Sequence, residues 1–261
     1  MKISVCGKGG SGKSTVVALL ANEAMTRGYR VLVVDSDESN TGLFRMLGFD
    51  GPPVPLMELV GGKQNLKQKI GQPNIFSERK ITVANIPEHY LLQHGKLQLV
   101  AIGKIMQSLE GCACPMGVLS REFLKKLNLE TDELAIVDME AGVEHFGRGV
   151  DTSIDAVLIV VEPPLESIEI GQKIHDLATE IGIRNVWAIM NKVPSRSMAK
   201  KLKAELKERH IDVVGFISFG ADIFKLSLGG KIPTDGLAIR ETKDILDNII
   251  SRAGIRVPSL T

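Results

Sequence analysis

The chain has 261 residues, of which 44% are hydrophobic and 24% charged, and its formal net charge is +1. This length suits one large α/β domain, so we expect a single domain over residues 1–261. A near-neutral chain lacks the basic surface that binds nucleic acid, so we expect no nucleic-acid partner. No apolar run reaches the roughly 18 to 20 residues that cross a bilayer, and the first residues do not read as a signal peptide. We therefore expect a cytoplasmic protein without a membrane partner.

Short runs rich in Val and Ile recur along the chain, most of them without polar alternation. Such runs are typical of strands buried on both faces of a parallel sheet. We predict strands at residues 3–6, 31–35, 97–102, 134–138, 156–161, 186–190 and 213–217. Apolar spacing of three and four residues predicts helices at residues 15–27, 116–127, 166–181, 198–209 and 237–253. This alternation predicts a doubly wound α/β fold with a mostly parallel central sheet flanked by helices.

The last predicted helix carries an apolar stripe of Ile245, Leu246, Ile249 and Ile250. A membrane-seeking helix and a core-packing helix would both show such a stripe. Acidic residues lie among its polar positions, which favours packing against the core. The segment 51–96, interrupted by prolines and glycines, shows no clear periodic pattern.

Residues 7–15 read GKGGSGKST and lie between the first predicted strand and the first predicted helix. They fit the GxGxxG pattern of dinucleotide folds, with Asp35 in place of the ribose-binding acid, and the GxxxxGK[ST] pattern of P-loops. The second pattern is the more specific, because Lys13 can meet the β- and γ-phosphate charge of a nucleoside triphosphate while the Ser14 hydroxyl binds Mg²⁺. The expected nucleotide-binding residues of this loop are Gly9, Gly10, Ser11, Gly12, Lys13, Ser14 and Thr15.

Lys8 is the unusual residue of this loop. In the form GKGGSGKST the loop resembles the deviant P-loop of the MinD/ParA and nitrogenase iron-protein ATPases. The resemblance implies a homodimer in which Lys8 reaches the phosphates of the partner and neutralises charge that develops on transfer, as an arginine finger does. The alternative is a solvated loop lysine without a catalytic role.

Three further segments resemble parts of the same class. The sequence DSDESN at residues 35–40 resembles its first switch, which implies that Asp35 lies near the Mg²⁺ shell and that Asp37 positions the attacking water. The sequence LAIVD at residues 134–138 resembles a Walker-B strand, where the Asp138 carboxylate holds Mg²⁺ through water. In this class the asparagine of an MNK triplet, here Asn191, reads the adenine edge and favours ATP. The resemblance thus implies ATP/ADP and Mg²⁺ as cofactors, with Lys8, Lys13 and Asp37 as the catalytic residues.

Two of the three cysteines lie in GCACP, residues 111–115, in a predicted loop. Cys112 and Cys114 can both turn toward one ion, and thiolates suit soft or borderline divalent metals. Two ligands leave a site half built, and a two-fold dimer would supply the other two sulfurs. A redox dithiol and two incidental buried thiols are the alternatives. Cys6, in the first strand, is expected to be a buried small hydrophobe.

These segments together with the CxC pair resemble the CooC-type ATPases, which assist nickel insertion into carbon monoxide dehydrogenase. The resemblance covers nearly the whole chain and implies a single P-loop ATPase domain over residues 1–261. It implies Ni²⁺, with Zn²⁺ as a possible substitute, at Cys112 and Cys114. It further implies apo carbon monoxide dehydrogenase as the client, with ATP binding and hydrolysis driving dimerisation and metal release.

Two other functions stay open at this point. A MinD- or ParA-like positioning ATPase needs a basic face or a terminal amphipathic anchor, and neither is evident. An iron–sulfur ATPase related to the nitrogenase iron protein is expected to carry a cysteine just past the Walker-B-like aspartate. This chain has Ala141 in that region, and no cysteine follows Cys114.

Overall fold

The computed structural model describes residues 1–62, 65, 76, 78–103, 114–147, 149–256 and 258. Within these residues eight strands form one sheet in the order β3-β4-β2-β5-β1-β6-β7-β8. The β3–β4 pair is antiparallel and every other neighbouring pair of this sheet is parallel. The strands are β1 Lys2–Gly7, β2 Arg30–Asp35, β3 Leu92–His94, β4 Leu97–Ala101, β5 Glu133–Asp138, β6 Ala156–Val161, β7 Asn185–Val193 and β8 Asp212–Ser218.

Helices lie on both faces of this sheet. They are α1 Lys13–Thr26, α2 Leu43–Met46, α3 Leu56–Leu59, α4 Cys114–Lys126, α5 Glu144–Gly147, α6 Leu165–Glu180, α7 Arg196–Glu208, α8 Ala221–Leu228 and α9 Leu237–Ala253. The seven predicted strands and five predicted helices all occur, which confirms the doubly wound prediction. The antiparallel edge strand β3 and the helix α8 were not predicted.

Two hydrophobic cores lie on the opposite faces of the sheet. Along β2, Val31 and Val33 enter the core shared with α1 and α9, while Leu32 and Val34 enter the core shared with α4, α6 and α7. Side chains of a strand alternate between faces, so a strand buried on both sides must be apolar at every position. This requirement explains the continuous Val and Ile runs of the sequence.

The course of the chain at β1 positions the nucleotide loop. β1 lies between β5 and β6, and the chain passes from β1 through α1 to β2, while β6 lies on the other side of β1. Strand order therefore reverses at β1, and ligands of open α/β sheets bind outside the carboxyl ends of the strands at such a point. Residues 8–12, directly after β1, occupy this position.

The helix α9 packs on the core as the sequence predicted. Ile245, Leu246, Ile249 and Ile250 are all buried in it. Cys6 is also fully buried, as expected of a small hydrophobe, and its Sγ lies 3.0 Å from the Ser4 hydroxyl oxygen. Over the residues that the structure describes, we find no helix with the length and apolar character needed to span a membrane.

Truncation of Ile249 should show how much α9 contributes to stability. The side chain of Ile249 is fully buried, so Ile249→Ala removes buried methyl groups and leaves a cavity, at an expected cost of about 2 to 5 kcal/mol in unfolding free energy. Leu237→Ala, at a position 53% exposed on the same helix, should change it by less than about 0.5 kcal/mol. Urea unfolding of both variants measures the difference, and equal losses would contradict this packing.

Candidate nucleotide-binding site

The loop between β1 and α1 has a backbone that requires glycine at two positions. A Cβ on Gly7 would lie 2.5 Å from the carbonyl oxygen of Val160, and one on Gly12 would lie 2.5 Å from the amide nitrogen of Asn191. Gly12 also has φ 90°, in the left-handed region, directly before α1 begins. The loop is thereby held close to β6 and β7, with the first N–H groups of α1 at its end.

The side chain of Ser14 connects this loop to the end of β5. Its hydroxyl donates to Oδ2 of Asp138 at 2.6 Å and accepts from the amide of Asn40 at 2.6 Å. The Asn40 amide also lies 3.3 Å from Oδ2 of Asp138. The P-loop, the 35–40 segment and the Walker-B-like strand therefore meet in one hydrogen-bonded group.

Asp138 is fully buried at the centre of this group, and the pKa of its carboxyl is raised to about 7. Burial is the largest cause, and the neighbouring charge of Asp35 is the next. The strand register explains the second cause, since β2 and β5 pair Asp35 directly with Asp138. The hydrogen bond from Ser14 and the charge of Lys13 act in the opposite direction.

The residues around Asp138 fit a magnesium ion. Oδ2 of Asp138 binds Ser14, while Oδ1 is buried and has no hydrogen-bond partner among the described residues. A cluster of carboxylates and a hydroxyl supplies the hard oxygen ligands that Mg²⁺ prefers, together with the water it retains. The cation would also offset the repulsion between Asp35 and Asp138.

The structure places the other expected switch residue, Asp37, at the same edge of the sheet. Asp37 is buried, and its Oδ1 accepts from the backbone N–H of Ser39 at 2.9 Å and from the Ser39 hydroxyl at 2.6 Å. These bonds stabilise the turn of the 35–40 segment beside the P-loop. That Asp37 positions the attacking water stays a prediction.

The two loop lysines have different surroundings. Lys13 is buried at the start of α1, beside the carboxylates. Lys8 is partly exposed, and its Nζ lies 2.5 Å from Oε2 of Glu166 at the start of α6. This hydrogen bond raises the pKa of the Lys8 ammonium, which is thus paired within its own chain.

Asn191 and Lys192, at the end of β7, hold the loop from the other side. The Asn191 amide nitrogen donates to the carbonyl oxygen of Ser11 at 2.8 Å, and Lys192 Nζ donates to that of Gly10 at 2.5 Å. Lys192 also pairs with Glu162 at 2.8 Å. In the structure the amide nitrogen of Asn191 contacts the loop. That Asn191 contacts the adenine edge therefore stays a prediction.

Several contacts of this site were not predicted. Asn40 and Lys192 were not chosen as site residues, although each lies in a segment that was singled out. Lys192 has φ 53°, which is uncommon for a residue with a side chain, but the sequence gives no signal of that backbone conformation. Their roles depend on loops that meet only in the folded chain.

Several known proteins are similar to this chain in sequence or in fold. A profile of the CobQ/CobB/MinD/ParA nucleotide binding domain matches residues 3–233. An uncharacterized ATP-binding protein of Methanocaldococcus jannaschii is 40% identical over 252 residues, which cover 95% of this chain and 98% of that protein. The carbon monoxide dehydrogenase accessory protein CooC of Rhodospirillum rubrum is 34% identical over 242 residues, covering 90% of this chain and 84% of CooC.

The chain belongs to the CobQ/CobB/MinD/ParA nucleotide-binding family. It is a P-loop ATPase of this family. MinD from Pyrococcus horikoshii in complex with Mg-ADP has the same fold, with a TM-score of 0.73, 16% identity and 97% of both chains covered.

The predicted metal ligands of this ATPase are Cys112 and Cys114. Cys112 lies outside the described residues. Cys114 is the first residue of α4, and its side chain also lies outside what is described. Metal binding by this pair therefore stays a prediction.

The raised pKa of Asp138 predicts a pH-dependent stability of the ATPase without nucleotide or Mg²⁺. In the folded state the Asp138 carboxyl holds its proton up to about pH 7, whereas in the unfolded chain it releases the proton near the ordinary pKa of 3.8. Its contribution to the free energy of unfolding is therefore complete below about pH 4 and is lost as the pH rises to about 7. A shift of this size corresponds to roughly 4 kcal/mol. Asp138→Asn removes the titration, so the variant should melt several degrees above the wild type at about pH 8 and close to it at about pH 4.

Thermal unfolding across this pH range makes the measurement. Asp212→Asn, at an exposed aspartate whose side chain is 78% accessible, is the control and should follow the wild type at every pH. An Asp138→Asn effect that does not vary with pH would contradict the assignment of the titration to this carboxyl.

Proposed function

We propose that this ATPase is a metallochaperone of the CooC type, which binds Ni²⁺ at Cys112 and Cys114 in a dimer and delivers it to apo carbon monoxide dehydrogenase. The 34% identity to CooC supports this branch of the family. The observation that carries the proposal is the backbone position of Cys114. Cys114 begins α4, and α4 is hydrogen-bonded to the nucleotide site through a buried serine.

Two contacts tie the flanks of the cysteine segment to residues beside Asp138. On one flank, the N–H of Ile102 donates to the carbonyl oxygen of Asp35 at 2.9 Å. On the other, the hydroxyl of Ser120, fully buried in α4, shares a hydrogen bond of 2.8 Å with the hydroxyl of Ser36. A shift of residues 35 and 36 on nucleotide binding therefore acts on both ends of the segment that carries the cysteines.

The cargo site is proposed to be shared by two subunits. Each chain supplies two thiolates, and four thiolates complete a site for a soft or borderline divalent ion, with Zn²⁺ as the competing cargo. ATP binding tightens the dimer, and hydrolysis relaxes it and releases the metal. Coupling is reciprocal, so bound metal must change nucleotide affinity or dimer stability by the same factor.

Each residue of the site has a proposed role in ATP hydrolysis. Lys13 and the loop N–H groups hold the phosphates, and Ser14 and Asp138, with Asp35 nearby, would hold Mg²⁺, which neutralises charge on the β- and γ-phosphate oxygens. Asp37 orients a water whose oxygen attacks the γ-phosphorus as the bond to the departing ADP oxygen breaks.

Lys8 makes this reaction depend on the dimer. It acts on the phosphates of the partner chain, so it must first leave Glu166 of its own chain. The proposal also includes a cytoplasmic location and no nucleic-acid or membrane partner.

Nickel titration of the Cys112→Ser, Cys114→Ser double variant tests the proposed cargo site. The wild type should bind one Ni²⁺ per dimer, and the double variant should lose this binding because serine hydroxyls are poor ligands for soft ions. Cys6→Ala, which removes the buried thiol of β1, is the matched control and should bind as the wild type does. Unchanged stoichiometry and affinity in the double variant would rule the proposal out.

Ser120→Ala tests the proposed connection between the two sites. The ratio of the Ni²⁺ dissociation constants with and without a non-hydrolysable ATP analogue measures the coupling. Loss of one buried hydrogen bond should reduce this ratio by a factor of about 2 to 10, with the nucleotide affinity itself little changed. Thr242→Val removes a buried hydroxyl from α9 and should leave the ratio as it is.

The outcomes of this experiment separate the route from the function. A wild-type ratio of one would mean that nucleotide and metal are not coupled, which contradicts the metallochaperone proposal. A normal ratio in Ser120→Ala would mean that coupling exists but takes another route.

A further inference from the structure

An open cleft of about 1060 Å³, mouth included, lies beside the first residues of β7 and β8. Because β1, β6 and β7 are parallel, the amino ends of these strands share the edge of the sheet opposite the P-loop. β8 is parallel to β7 and begins at the same edge. The cleft is therefore separate from the nucleotide site, and both can be occupied at once.

The polar side chains that line this cleft are mainly hydrogen-bond donors. Arg184 is exposed, and its guanidinium has no ion pair or hydrogen bond within the part of the chain that the structure describes. His175 and His210 add two imidazole rings, each of which offers an N–H donor whether neutral or charged. The carboxylate of this lining, Asp212, is 78% exposed and pairs with Arg252 at 3.5 Å. An unpaired guanidinium suits carboxylate or phosphate oxygens, so the cleft fits an oxyanion.

The buried part of the lining is apolar and is formed by Ile183, Val186 and Trp187. Trp187 is 6% exposed, and its indole N–H makes no hydrogen bond among the described residues, so this donor is available to a ligand. A bare phosphate ion is far smaller than the cleft, whereas volumes of this order are typical of sites for small organic molecules. The ligand should therefore carry an apolar body next to its charged group.

The backbone at His210 also points to a functional cleft. α6 and α7 end alike, since the residue after each C-cap has a left-handed backbone and its N–H donates to a carbonyl three residues back at 3.0 Å. After α6 this residue is Gly182, with φ 90°, and glycine fits such a position without strain. After α7 it is His210, with φ 60°, although a side chain is unfavourable there. Strained positions of this kind cluster at functional sites, and His210 lines the cleft.

We propose that this cleft binds a small organic acid, whose carboxylate or phosphate pairs with Arg184 and His210 while its apolar body packs against Trp187. The ligand would satisfy the unpaired guanidinium and give the strained His210 a function. This second small-molecule site of the ATPase does not depend on metal delivery or on the cysteine pair.

Fluorescence titration of the full chain tests the proposal, because Trp187 is the single tryptophan of the chain and therefore reports on this cleft. Saturating Mg²⁺ and ADP keep the P-loop occupied. The probes are benzoate, phenyl phosphate and the uncharged benzyl alcohol. Benzoate, phenyl phosphate or both should change the emission in a saturable way, and benzyl alcohol should not. The anion that binds more tightly identifies the charged group, and calorimetry of the same titrations detects binding that leaves the emission unchanged.

Arg184→Gln should raise the dissociation constant of the bound anion about tenfold, because it removes a charge-assisted contact. Arg196→Gln is the matched control, since Arg196 is also an exposed arginine without an ion pair among the described residues and lies outside the cleft. This control should bind the anion as the wild type does.

His210→Gly separates binding from stability. Glycine relieves the left-handed backbone, so this variant should melt at or above the wild-type temperature while it binds the anion several-fold more weakly. A lower melting temperature would show that the imidazole supports the fold, which contradicts the proposal. Binding of neither anion, equally tight binding of benzyl alcohol, or unchanged binding in Arg184→Gln would overturn it.

Discussion

Two buried carboxylates, Asp35 and Asp138, lie side by side because their strands pair in register at the carboxyl edge of the sheet. Two like charges in a buried place repel each other, and desolvation adds to the cost. The raised pKa of Asp138 expresses that cost. Ser14 and Lys13 reduce it, and a bound cation would reduce it further. The arrangement therefore has an electrostatic reason to change when Mg²⁺ and nucleotide arrive.

Hydrogen bonds connect this pair to the two flanks of the cysteine segment. Ser36 follows Asp35 directly, and its hydroxyl is hydrogen-bonded to the Ser120 hydroxyl of α4. The backbone oxygen of Asp35 accepts a hydrogen bond from the N–H of Ile102, directly after β4. The cysteine segment lies between these two anchors in the sequence. A movement at the carboxylates would thus reach both flanks of one segment, and this is the route that the proposed coupling of nucleotide to metal would take. On the opposite side, Asn191 and Lys192 fix the loop to β7, so movement there is resisted.

Burial and periodicity made much of the fold predictable. Strands of a two-faced sheet must be apolar at every position, so the runs at residues 31–35 and 156–161 were readable without any structure. The strand β3 could not be predicted from the sequence, because it is a three-residue edge strand with two exposed positions. Helix α8 was missed for a related reason, since none of its eight residues is fully buried and its Ile223 packs against the core only partly buried.

The sequence by itself determined the order of the nucleotide motifs, because a P-loop and strand-ending acids are local patterns whose chemistry depends on residue type and spacing. The sequence also identified Lys8 and the CxC pair as candidate functional residues. Only the tertiary structure decided that Ser14, Asn40 and Asp138 share hydrogen bonds, and that Lys8 pairs with Glu166 in the same chain. These contacts join residues up to 158 positions apart, and such distances are closed by packing of the sheet and helices, which no local pattern encodes.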